Sequence, residues 1–126
     1  MTIVHYCPVA ACSPSNHRQA ILYHHRWLVV DESSHWLTAQ NCPALAEVTT
    51  DIKLGYLVLR APGMLRMDIP LDVIEDDESV WRQATIVTQQ ATVVDEGDLA
   101  AVWFGQVTGR VCRLVKVHPD TTQLDW

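Results

Sequence analysis

The side chains able to do chemistry in this chain are few and widely spaced. His24 and His25 stand together just ahead of an apolar run, Trp27-Leu28-Val29-Val30. Histidine titrates near neutrality and serves as acid, base or metal ligand. Neighbours in a strand face opposite sides, so a strand here predicts that the pair does not hold one metal together. The four cysteines are Cys7, Cys12, Cys42 and Cys112, and no two form a Cys-x-x-Cys pair. Zinc ribbons and redox dithiols rest on that spacing, so free and mostly buried thiols are the expectation. His5 and Cys7 share one strand face by the two-residue repeat, yet a metal site there needs two further ligands to which nothing points. A Cys12 thiolate with His25 as its base would make a nucleophilic centre, if the fold brings the two together. No serine sits in a Gly-x-Ser-x-Gly elbow, and the five glycines are too scattered for a phosphate loop.

Charge narrows the function classes further. Five of the fifteen acids fall in Asp72–Glu78 (DVIEDDE), a stretch without a base, and the formal net charge is −6. That run reads as a solvated loop, or else as a cation site or a docking patch for a basic partner. It lacks the glycine and terminal glutamate of an EF-hand. With no Lys/Arg cluster to release counterions, nucleic-acid binding is not expected. No apolar run approaches the roughly 20 residues of a membrane span, and no basic segment leads into a long apolar stretch at the N-terminus. The expectation is a cytoplasmic protein without membrane contact.

The elements that must position these residues are short. The chain has 126 residues, 48% of them hydrophobic and 19% charged, which fits one globular domain with its own core. Apolar, β-branched or aromatic runs recur at 2–6, 20–23, 26–30, 36–38, 46–50, 56–60, 64–69, 80–87, 92–94 and 111–117. Turn chemistry separates them, as at Asn41-Cys42-Pro43 and Ala61-Pro62-Gly63. The pattern predicts a mainly β fold, a small barrel of about 8–10 short strands. One segment breaks it. Residues 96–108 predict a helix, with Asp95 as its cap, Gly109 as its stop, and Leu99, Val102, Trp103 and Val107 on or near one face. Gly105 weakens that helix by about 1 kcal/mol against alanine. Trp27 and Trp103 are core candidates whose ring N–H needs a partner.

Four blocks in order then carry a resemblance. Tyr6-Cys7-Pro8-Val9-Ala10-Ala11-Cys12 is similar to Tyr-Pro-Val-Lys-Ser-Cys, with Cys7 as an extra residue. His24-His25-Arg26-Trp27-Leu28-Val29-Val30-Asp31 is similar to Asp-Arg-x-Trp-Leu-Val-Val-Asp. Leu37-Thr38-Ala39-Gln40-Asn41-Cys42-Pro43-Ala44-Leu45 is similar to Leu-Thr-Ala-Arg-x-x-Pro-x-Leu. The last block runs from Asp95 through Trp103 and continues at Gly109-Arg110-Val111-Cys112-Arg113-Leu114-Val115. Together they resemble the N-terminal β-barrel domain of MOSC proteins. These are molybdenum-cofactor proteins related to the C-terminal part of molybdenum cofactor sulfurase and to the amidoxime-reducing component.

The resemblance implies a site and also its erosion. In cofactor-binding members the lysine and serine of the first block and the arginine of the second contact the phosphate end of molybdopterin. The matching positions here are Ala10, Ala11 and His25, the acid beside that arginine is His24, and the third-block arginine is Gln40. Each charge-assisted hydrogen bond removed is worth about 1.5–3 kcal/mol, so three removed cost several orders of magnitude in affinity. Neutral His25 replaces an arginine fork only in part. In the family a MOSC domain proper follows the barrel and supplies the molybdenum-binding cysteine, which none of the four cysteines here matches. Cys12 matches a packing cysteine of the barrel. The resemblance therefore implies a stand-alone, degenerate barrel, residues 1–126, without the MOSC domain. The expected role is a non-catalytic binding or interaction module, with no cofactor of its own. Molybdopterin is expected only with a partner chain, such as a separate MOSC protein. The alternative is an accessory subunit of a molybdenum-cofactor-dependent reductase or cofactor sulfuration system. The oligomeric state stays open.

Overall fold

The computed structural model describes residues 7–12, 23, 25–71 and 81–118. Strands β1 (Trp27–Asp31), β2 (Thr49–Lys53), β3 (Tyr56–Arg60), β4 (Met67–Pro70), β5 (Trp81–Ile86) and β6 (Gln89–Asp95) precede helix α1 (Asp98–Thr108) and strand β7 (Cys112–Val117). A 3-10 turn, Pro43–Glu47, comes before β2. The expected strand at 46–50 is thus half replaced by that turn. Pro43 fixes its first φ and Leu45 buries its apolar side chain from it.

The strands form two antiparallel sheets, of order β1-β7-β6-β5 and β2-β3-β4. The larger sheet curls until its edges meet through the segment after β1. Leu37 N–H donates to Val29 O at 2.8 Å, while Trp36 N–H donates to Thr85 O at 2.9 Å and Thr85 N–H to Ser34 O at 2.8 Å. Residues 34–37 therefore bridge β1 to β5 and close a small barrel. The alternation of β1 and β7 then sorts two apolar sets. Leu28, Val30, Ala84, Ile86, Ala91, Val93, Val115 and Val117 cluster on the inner side. Three small residues, Ala10, Ala84 and Ala91, sit in that cluster, where a narrow barrel has little room for side chains. Trp27, Val29, Cys112 and Leu114 point outward, against Ile52, Leu57, Leu59 and Ile69 of the smaller sheet and Ala100, Trp103 and Phe104 of α1.

Both expected tryptophans find partners. Trp27 Nε1–H donates to Glu96 Oε2 at 3.3 Å and Trp103 Nε1–H donates to Leu65 O at 2.7 Å. The helix ends where expected, with Gly109 in the left-handed conformation at φ 71°. Its start differs from expectation, and of its expected face Trp103 and Val107 turn to the core whereas Leu99 and Val102 do not. The N-cap is Gly97, and Asp95 instead accepts the Gly97 N–H at 2.8 Å from the end of β6. The buried face is Ala100, Trp103 and Phe104, while Leu99 and Val102 are 81% and 59% exposed. The helix is only three turns long, and the small Ala100 lets it lie close to β7, so a rotation of one residue decides which apolar set faces inward.

Candidate functional site

The first two blocks meet at the start of β1, on the side not paired with β7. Trp27 N–H donates to Pro8 O at 3.0 Å and Ala10 N–H to Trp27 O at 2.9 Å, so residues 8–10 run parallel to the start of β1. His25 N–H donates to Cys7 O at 2.8 Å. Ala10 and Ala11 are therefore held against the chain that carries His25. Their side chains diverge. Ala10 is fully buried in the inner cluster of the barrel, whereas Ala11, at φ 78°, packs partly buried on the outer core. His25 does not belong to a strand. It occupies a turn before β1 with φ 54°, a left-handed conformation that histidine tolerates better than a β-branched residue. The expectation of His24 and His25 on opposite faces of one strand falls partly outside the described residues, since His24 is among those not described; for His25 it is replaced by this turn. The left-handed φ breaks the extended backbone that alternation requires.

Gln40 follows in the third block. It is exposed in the turn at 38–41, which is tied within itself by Thr38 N–H to Asn41 Oδ1 at 2.7 Å and Cys42 N–H to Thr38 O at 2.8 Å. Cys12 is buried beside Cys42 and Leu45, and burial pushes its thiol strongly up, reinforced by the neighbouring Cys7 and Cys42. Burial likewise raises Cys7 and Cys112. Protonated, buried thiols suit packing and not nucleophilic attack. Among the described residues no group of three or more His, Cys, Asp or Glu side chains is arranged to hold a metal ion. His5 and the acidic run Asp72–Glu78 lie outside the described residues. No helix among the described residues is long and apolar enough to cross a membrane.

The charged groups that do converge were read from the sequence only as a helix start. The Asp95 side chain is 6% exposed and accepts Arg113 Nε–H at 2.6 Å and Arg82 Nε–H at 2.7 Å. Burial works to raise this carboxyl, but Arg113, the Gly97 N–H and Arg82 outweigh it and hold it below its usual range. Arg113 also reaches Asp98 at 2.8 Å, and its guanidinium is pushed up by the two carboxylates. Lys116 was missed as well. It is 4% exposed, donates to Leu71 O at 2.8 Å and lies 5.4 Å above the Trp27 ring. A lysine inside the otherwise apolar run Leu114-Val115-Lys116-Val117 was the signal for it.

The profile of the MOSC N-terminal beta barrel domain matches residues 4–111. The chain belongs to that family. Molybdenum cofactor sulfurase of Danio rerio is 27% identical over 105 residues, covering 81% of this chain and 13% of that protein. Mitochondrial amidoxime reducing component 2 of Bos taurus is 30% identical over 95 residues, covering 75% of this chain and 28% of that protein. The chain thus spans well under a third of the length of either relative. A Bordetella bronchiseptica protein of known solution structure is similar over 100% of this chain and 97% of its own, with 49% identity and a TM-score of 0.86. As a MOSC N-terminal barrel, the protein is related to molybdenum-cofactor proteins. Two of the four segments that carry the family resemblance, 7–12 and 25–31, pair at the start of β1.

Proposed function

We propose that this barrel does not itself hold a molybdenum cofactor and acts as a non-catalytic binding or interaction module. The observation that carries the reading is Ala10, which is fully buried inside the barrel where the family pattern has a lysine. A methyl group donates no hydrogen bond, and its neighbours there are apolar. The rest of the donor set supports the same reading. Ala11 contributes a second methyl group, and Gln40, exposed in a turn, carries no charge. Lys116, opposite Trp27 in register, points its ammonium at Leu71 O and is 4% exposed. A pterin phosphate needs cationic or hydroxyl donors aimed at its oxygens, and these residues do not fit that need.

One observation favours a second reading. Arg26 is partly buried next to His25 and forms no ion pair among the described residues. An arginine one position along from the family's arginine could meet a phosphate held mainly by a separate MOSC chain, making this protein an accessory subunit. Elemental analysis of the protein, purified alone and with its natural partners, separates the readings. The first predicts no molybdenum in either sample, and molybdenum in the protein purified alone overturns it. Molybdenum in the co-purified complex alone favours the second, provided Arg26→Ala removes it.

A further inference from the structure

Away from those positions, a groove of about 850 Å³ opens beside α1. It is bounded by α1, by the stretch leading into β7, and by the end of β1 with its following turn. Its apolar surface comes from Ala101, Val102, Gly105 and Val111, of which Val102 and Val111 are 59% and 67% exposed. Gly105 keeps the floor low: a Cβ there would touch nothing nearer than Arg110 O at 3.5 Å. The volume lies within the range of small-molecule sites, as does an apolar lining with a few charged groups at its edge.

The charges at that edge are nearly all engaged with each other. Arg82 and Arg113 are bound by Asp95, Arg113 also holds Asp98, and Asp31 sits 3.8 Å from His35 Nδ1. Arg110 differs. Its guanidinium pairs with no carboxylate among the described residues. Exposed Glu32 on the rim is screened by water. We propose that the groove binds an amphipathic monoanion, an aliphatic or aryl carboxylate whose apolar body lies along Ala101, Val102 and Gly105 while its carboxylate pairs with Arg110. A planar guanidinium matches a carboxylate through two parallel hydrogen bonds. A single negative charge is favoured over a phosphate dianion because Asp31, Glu32 and Asp98 share the rim. Ala10, Ala11, His25 and Gln40 do not line the groove, so this inference stands or falls apart from the reading above.

Isotope-labelled protein titrated with octanoate, with octanol and inorganic phosphate as controls, tests it through backbone amide shifts. Octanoate should give saturable shifts confined to residues 98–113 and 30–34 and to the strand around Arg82. Arg110→Ala should weaken octanoate about tenfold and leave octanol unchanged. Gly105→Leu fills the groove and should abolish binding of both. Val102→Asp, at an exposed position, should weaken octanoate selectively. Absence of saturable shifts, shifts elsewhere on the molecule, equal loss of octanoate and octanol in Arg110→Ala, or phosphate binding as tightly as octanoate would each overturn the proposal.

Discussion

At the edge of β1, residues 8–10 and Trp27 are joined by backbone hydrogen bonds, and the side chains in between are methyl groups and apolar surface. At the junction of β6 and α1, by contrast, a buried carboxylate gathers two arginines and a backbone N–H. Both places belong to segments that resemble the family. The first lacks the charges the family pattern carries there, and the second retains a complete network. The contrast separates two uses of charge. Asp95 ties β5, β6, β7 and the start of α1 together, so the fold requires it. The first block holds methyl groups at the corresponding place, and the barrel closes without a charge there.

The sharpest way to break this comparison is to return a charge to the first place. Ala10→Lys puts an ammonium among apolar side chains and should destabilise by about 3–5 kcal/mol, the cost of an uncompensated buried charge. Denaturant unfolding measures it, and a stability within experimental error of the parent would mean that position 10 opens to solvent. Removing charge from the second place comes next. Asp95→Asn removes the charge shared by Arg82 and Arg113 and turns one of the two acceptor oxygens into a donor, and should cost about 2–3 kcal/mol, reduced from the fully buried case because both arginines are partly solvated. The same carboxylate predicts a pH dependence. Its folded value is depressed, so its contribution is fully present above the unfolded value of about 4 and is lost as pH falls through the folded value. Unfolding free energy should therefore drop in acid below about pH 4 in the parent and drop less in Asp95→Asn. The smallest effect belongs to the outer face of α1. Leu99→Lys, at 81% exposure, should change stability by no more than about 0.5 kcal/mol in a melt, whereas a core-facing Leu99 would cost several times that.

The barrel was legible because its strands are short, β-rich and punctuated by turns. Tyr56–Arg60 and the cores of β1, β5 and β7 lie where the apolar runs are. Trp27 and Trp103 were legible because a buried indole must hydrogen-bond. The face of α1 was not, since Leu99 and Val102 compete with Ala100 and Phe104 within one turn and only tertiary packing selects between them. His25 was misread because local alternation says nothing of a left-handed φ. The Asp95 network joins residues 13 and 18 positions apart through strand pairing, which no local pattern encodes. The positions expected at the site were named by resemblance; their burial, above all that of Ala10, came only from the way the sheet curls closed.

On the proposed function, a family scaffold is kept here without the family's grip on a phosphate. Calorimetric titration of the purified protein with a pterin phosphate tests it most directly. The account predicts no saturable binding in the micromolar range, and a micromolar Kd for the unmodified protein would contradict it.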